Sequence, residues 1–180
     1  MENNLYKKYK KEIAPKLKSE LSLKSLMQVP KVEKIIINVG VGKHLKEAGY
    51  IDNVENTLRN ISGQKPVRTK AKKAISNFKV REGMEIGVMV SLRGRKMYDF
   101  LEKLLSITFP RIKDFRGISP KAFDKGGNYN LGIKEHLAFP EIKTDEIDKT
   151  HGLEITVCTS AKDPASARIL LNHLGFPFKK

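Results

Sequence analysis

The chain has 180 residues, with 35 Lys and Arg against 20 Asp and Glu, a formal net charge of +15 and a pI near 9.8. Hydrophobic residues make up 39% of it, enough for a packed core and too many for a disordered chain. A charge that far from zero repels itself in a compact state, and a polyanionic partner offsets the repulsion, nucleic acid first and an anionic membrane second.

The length suits one domain over residues 1–180, with a helical N-terminal arm over about 1–28 and long loops near 64–84 and 108–150. Leu5 to Leu26 is Lys-rich and reads as a helix that starts or kinks at Pro15. In Val32 to Val39, Ile35, Ile37 and Val39 fall on one face and Lys34, Ile36 and Asn38 on the other, which predicts a strand in a sheet with one open side. Gly40-Val41-Gly42 ends that strand. Tyr50 to Ser62 is a predicted helix, with Ile51, Val54, Leu58 and Ile61 spaced by three and four and Gly63 as its cap. Short strands are expected at Pro66 to Lys70 and at Phe78 to Arg81, and a longer one at Glu85 to Arg93, where Ile86, Val88, Val90 and Leu92 oppose Gly87, Met89, Ser91 and Arg93. Lys96 to Ile107 is a helix that Pro110 ends. Ile112 to Asn130 reads as a long loop, Leu131 to Ile133 and Leu153 to Cys158 as strands with an acidic loop between them, and the stretch from Asp163 to Leu174 as a last helix. The order predicts an α+β two-layer sandwich: a mainly antiparallel sheet, helices on one face, and an open face on which several of the alternating residues are polar or basic.

The segment from Gln64 to Arg81 carries Lys65, Arg68, Lys70, Lys72, Lys73, Lys79 and Arg81 and no acidic residue. Thr69, Ser76 and Asn77 lie among these cations. The cations can displace condensed counterions, while hydroxyl and amide groups bond phosphate, sugar or base edges. Phe78 is the only aromatic here. It, Phe115 and Tyr129 could stack on a base, though packing within the protein is the commoner use of such rings.

Other chemistry finds little support. Gly40-Val41-Gly42-Lys43-His44 lacks the spacing and the hydroxyl of a phosphate loop and reads as a strand-ending turn. His44, His136, His151 and His173 share no metal spacing, and Cys158, the one cysteine, is read as a small buried or half-buried strand residue in a chain with no internal disulfide. No signal-peptide core and no apolar run of membrane-spanning length is present, so a cytoplasmic location is expected. The sparse apolar residues of the N-terminal helix, Leu5, Tyr6, Ile13, Leu17 and Leu21, suit packing on the domain or RNA better than a membrane surface.

Four segments taken together are specific: Met27-Gln28-Val29-Pro30-Lys31-Val32-Glu33-Lys34-Ile35, Ile61-Ser62-Gly63-Gln64-Lys65-Pro66, Phe109-Pro110-Arg111-Ile112-Lys113-Asp114-Phe115-Arg116-Gly117, and Phe123-Asp124-Lys125-Gly126-Gly127-Asn128-Tyr129 running to Phe139-Pro140-Glu141. With the ending Phe176-Pro177-Phe178-Lys179-Lys180, they resemble the ribosomal protein L5 family of the bacterial large subunit, in order and over essentially the whole chain. The resemblance implies a structural RNA-binding protein without cofactor or metal. It implies binding to 5S rRNA in the central protuberance beside other ribosomal proteins, and contacts with 23S rRNA, peptidyl-site tRNA and a small-subunit head protein. The family's RNA-binding sheet positions fall on Asn38, Gln64, Ser91 and Arg93. Lys65, Arg68, Thr69 and Lys70 of the acid-free segment join them as candidate rRNA contacts. The tRNA contact matches Lys72, Lys73, Ser76, Asn77, Lys79 and Arg81. The intersubunit bridge matches Arg111, Lys113, Asp114, Phe115 and Arg116, with the loop after Phe139. An RNA-processing enzyme or a free-standing RNA chaperone using the same basic face is the alternative. A convergent catalytic constellation would favour the enzyme, and the sequence displays none. The chain also lacks the aromatic signature of sheets that stack splayed single strands, which favours a folded RNA read by shape.

Overall fold

The structure, a computed structural model, describes residues 4–44, 47, 49–142 and 150–179. It opens with α1 (Asn4–Lys8), which passes through a π turn (Tyr9–Ile13) into α2 (Ala14–Glu20). Ala14 N–H reaches five residues back to Tyr9 O, and Pro15 follows this widened turn at the start of α2, where its missing N–H costs least. Leu5, Tyr9, Ile13 and Leu17, each four apart, are buried. The helix stops at Glu20, well before Leu26, because Ser22 turns left-handed at φ 50° and Leu23 N–H closes back on Lys18 O.

β1 (Val32–Gly40), α3 (Tyr50–Ser62), β2 (Val67–Lys70), β3 (Glu85–Leu92), α4 (Gly94–Lys103), α5 (Phe109–Arg111), β4 (Tyr129–Ile133), β5 (Leu153–Thr159) and α6 (Pro164–Leu174) follow. The strands form one open antiparallel sheet in the order β2-β3-β1-β5-β4, and the α+β class is as the sequence predicts. By packing, the chain divides into two compact units, residues 36–91 with 132–155, and residues 1–35 with 92–131 and 156–180.

In the first of these units, Ile37 and Val39 of β1, Val88 and Val90 of β3, and Val54, Leu58 and Ile61 of α3 are buried and make the core. Burying each such side chain stabilises by roughly 1.5–3 kcal/mol. Asn38, Met89 and Ser91 alternate to the other face and stay half-buried. Gly63 caps α3 at φ 62°, its N–H bonding Arg59 O. The strand expected at Phe78 to Arg81 is absent: Ser76–Phe78 is a 3-10 turn, and only Ile75 and Val80 pair as an isolated bridge. Between β4 and β5, the rings of His136 and His151 stack at 4.1 Å and 11°. His151 N–H donates to His136 Nδ1 at 3.2 Å, and His151 Nε2 is buried without a partner among the described residues. Burial lowers the pKa of both rings, and the neighbouring His136 adds to the effect on His151, which falls to about 4. Most of the acidic loop read from sequence lies outside the described residues.

In the other unit, α4 buries Met97, Tyr98, Phe100 and Leu101. Pro110 does not end this helix. A π turn (Leu104–Thr108) lets Phe109 N–H bond Leu104 O, five residues back, and Pro110 then sits in the first turn of α5. Residues 112–128 contain no regular element, yet side chains tie them down. Phe115 stacks on Phe109 at 5.2 Å and 12°, and Phe123 packs on Tyr129 at 4.7 Å and on Phe178 at 5.8 Å. Ile118 N–H bonds Pro177 O and Lys179 N–H bonds Ile118 O, both at 2.9 Å. Asp124 accepts from Asn128 N–H at 2.7 Å and Asn128 Nδ2 at 2.8 Å, which holds its carboxyl below the usual range. Asn128 Oδ1 accepts from Thr159 N–H at 3.2 Å, fastening this turn to β5. Asp163 caps α6 by accepting from Ser166 N–H at 2.8 Å.

Candidate nucleic-acid interface

β2 runs antiparallel to β3 with Thr69 opposite Gly87 and Arg68 opposite Val88. Because strand side chains alternate, Thr69 and Arg68 leave the sheet on opposite sides. Thr69 lies on the side of Asn38 and Ser91. A Cβ built on Gly87 would meet Thr69 Oγ1 at 2.7 Å, Val39 O at 3.2 Å and Asn38 Oδ1 at 3.9 Å. The bare Gly87 therefore lets the Thr69 hydroxyl lean over β3 toward the Asn38 amide. Neither group has a hydrogen-bond partner among the described residues. Gln64, just past the cap of α3, donates from Nε2 to Ser91 O at 3.1 Å. That bond orients the amide and leaves Gln64 Oε1 without a partner among the described residues. Asn38, Gln64, Thr69 and Ser91 are thus brought together on one half-buried polar surface. Lys65 and Lys70 are exposed on either side of this stretch of chain.

Arg68 faces the helix layer. Its guanidinium donates to Asp52 at 2.6 Å and Glu55 at 2.7 Å, both on α3, and to Glu85 at 3.1 Å. These bonds, Glu55 first, raise its pKa above the ordinary arginine value. The acid-free run of sequence hides this pairing because every carboxylate comes from elsewhere in the chain. Strand alternation between Arg68 and Thr69 was the signal that separates them.

Lys72, Lys73, Ser76, Asn77, Lys79 and Arg81 are all exposed on the β2–β3 loop, and the four cations make no ion pair among the described residues. The loop projects at one end of β2 and β3, away from Gln64.

Arg93, in the other unit, is exposed just before α4. In that unit Cys158 is half-buried. Burial pushes its thiol pKa up, against the pull of Lys34 and Arg93, so the neutral thiol is favoured. Arg111, Lys113, Asp114 and Arg116 are exposed, whereas Phe115 is half-buried on Phe109. Tyr129 is buried and donates to Ser119 O at 2.8 Å. Of the three rings considered for base stacking, only Phe78 is exposed. No group of His, Cys, Asp and Glu among the described residues is arranged to hold a metal. No described helix is long and apolar enough to cross a membrane.

Residues 25–81 match the family model for ribosomal protein L5, and residues 85–178 match the model for the C-terminus of the ribosomal L5P family. The chain belongs to the ribosomal protein L5 family. The large ribosomal subunit protein uL5 of Brevibacillus brevis is 56% identical over 180 residues, covering 100% of both chains. That of Halothermothrix orenii is 53% identical over 176 residues, 98% of each chain, and that of Syntrophomonas wolfei 53% over 175 residues, 97% of this chain and 98% of its own. The L5 family is structural and ribosomal, and this member is accordingly not an enzyme. The two family models meet between Arg81 and Glu85, at the end of the cationic loop.

Proposed function

We propose that the chain is a constituent of the large ribosomal subunit that binds 5S rRNA through the polar sheet face bearing Asn38, Gln64, Thr69 and Ser91; Lys65, Lys70 and, in the other unit, Arg93 are further rRNA contacts. In this reading it helps form the central protuberance with other ribosomal proteins and contacts 23S rRNA. The loop from Lys72 to Arg81 reaches peptidyl-site tRNA. The exposed residues Arg111, Lys113, Asp114 and Arg116 meet a small-subunit head protein, with Phe115 as their internal anchor. Arg68 has a different part here: its compensated guanidinium ties β2 to α3 and holds the sheet face in shape.

One observation carries the reading. Asn38 and Thr69 hold hydrogen-bonding groups on a half-buried surface without partners among the described residues, and such groups gain most from a partner that docks on them. Phosphate contacts from the surrounding lysines would fix the register, and the amides and hydroxyls would meet sugar and base edges.

Asn38→Ala is expected to weaken 5S rRNA binding by roughly 1–3 kcal/mol while leaving the melting temperature unchanged. Filter binding at several salt concentrations checks this. The wild type should show a log–log slope of about −5 if about six phosphates are neutralised, and the variant should keep that slope because its charge is intact. Lost stability with retained affinity would make Asn38 a structural residue, and a flat salt dependence would sink the electrostatic reading.

Gly87→Ala should weaken the same binding about tenfold, because its Cβ displaces the Thr69 hydroxyl. The backbone at Gly87 is not left-handed, and besides the Thr69 hydroxyl the added Cβ crowds Val39 O, at 3.2 Å, which must give by a few tenths of an ångström. If Gly87 acts by positioning Thr69, the substitution has little further effect in a Thr69→Ala background. Full additivity of the two changes would show that Thr69 is not the group displaced.

A further inference from the structure

The β2–β3 loop is firmly built. Ala71 N–H donates to Met84 O at 2.8 Å and Gly83 N–H to Ala71 O at 3.0 Å, closing the base. Further out, Ile75 N–H bonds Val80 O at 2.9 Å and Val80 N–H bonds Ile75 O at 3.2 Å. The 3-10 turn Ser76–Phe78 spans the tip, with Lys79 N–H on Ser76 O at 2.9 Å and Lys79 at φ 54°. Phe78 stands on this tip 72% exposed, and Ile75 below it is 48% exposed. Phe78 stacks on no other ring among the described residues. A large apolar side chain held in water on an ordered turn forgoes the stabilisation that burial would give it.

We propose that Phe78 is a stacking platform for the face of an unstacked nucleobase on a folded RNA, and that the surrounding cations hold the adjoining phosphates. The proposal rests on the reading that this loop faces tRNA. Charge decides between RNA and an apolar protein partner: Lys72, Lys73, Lys79 and Arg81 are exposed on the same loop, with no acidic residue from Gln64 to Arg81. An aliphatic surface would have to strip water from these cations without compensating them. A base stacked on Phe78 brings its own phosphate to the lysines. The closed loop arrives ordered, so little conformational freedom is lost on contact. Stacking is tolerant of base identity, because every base offers a π face.

The test uses ribosomes reconstituted with Phe78→Ala, Phe78→Leu or Phe78→Trp protein, and reads the dissociation rate of peptidyl-site tRNA. Phe78→Ala and Phe78→Leu should each raise the rate about tenfold, and Phe78→Trp should hold it near the wild-type value. The salt dependence should be the same in all of them, since no charge is altered. A leucine that preserves the wild-type rate would show plain apolar burial against a non-nucleotide surface and overturn the proposal. So would an alanine without effect on ribosomes whose tRNA is loosened by reversing the loop lysines. If reversing those lysines does nothing either, the reading of the loop as a tRNA contact is itself overturned.

Discussion

Ribosomes carrying Lys72→Glu, Lys73→Glu and Lys79→Glu together should release peptidyl-site tRNA roughly 100-fold faster than wild type. The change reverses three exposed charges that have no carboxylate partner among the described residues, so nothing inside the protein buffers it. Each reversed charge near a phosphate turns an attraction into a repulsion of about 1 kcal/mol in water, and the three together reach that rate change even after screening. Lysine suits this role because a flexible point charge follows a passing backbone without fixed geometry. The effect should be equal for different tRNAs, since phosphate contacts carry no sequence information. Affinity for 5S rRNA should stay within a few-fold, because the substituted side chains lie on the loop and not on the sheet face of Asn38, Gln64 and Thr69. Tight tRNA retention combined with lost 5S binding would assign the loop to the 5S site.

The protein should lose about 2 kcal/mol of stability between about pH 7.5 and about pH 5 through its stacked histidine pair. The unfolded chain binds protons on His151 near the ordinary value of 6.5, whereas the folded ring resists until about 4. The folded-state pKa is depressed, so the stabilisation is complete above about pH 6.5 and is lost as pH falls toward 4. Burial is the main cause, and the ring of His136 at 4.1 Å adds like-charge repulsion when both rings are protonated. Urea midpoints at the two pH values measure this. His151→Phe keeps a stacked ring without a proton site, and most of the acid-linked loss should vanish. An equal loss in the variant would place the sensitivity in other groups.

Local patterns fixed what sequence reasoning could reach. Ile35, Ile37 and Val39 alternate, and β1 forms with those side chains buried. The spacing of Val54, Leu58 and Ile61 with Gly63 behind them gives α3 at the predicted bounds. Helix ends were less legible. Pro110 looks like a terminator, yet the π turn before it supplies a place where a missing N–H does no harm. At the other helix, Ser22 gives no strong sign of the left-handed cap it adopts. Contacts distant in sequence were invisible. Arg68 reads as a free cation until α3 brings Asp52 and Glu55 to it. Residues 112–128 are tied down by Phe178 against Phe123 and by Pro177 and Lys179 on Ile118, far along the chain. Asn38, Gln64 and Ser91 were reached through family resemblance, and Gly87, which positions Thr69, could be found only in three dimensions.

The strand order has a kinetic side. β1 lies next to β5, and Ser160 N–H bonds Lys31 O at 2.9 Å, so this part of the sheet closes the chain over more than half its length. Contacts of such long sequence separation form late, because loop-closure entropy must be met before they contribute. The hairpin-connected strands β2 and β3, with β1, need only the first half of the chain. The surface bearing Asn38, Gln64, Thr69 and Ser91 can therefore take shape on a growing polypeptide before β5 has been synthesised. Such timing would let rRNA capture the nascent protein and itself act as a template for the remaining fold. Pulse-labelled hydrogen exchange during refolding should protect amides of β1 to β3 ahead of those in β5, and 5S rRNA added at the start should speed the later phase. Simultaneous protection of all five strands would rule out this order of events.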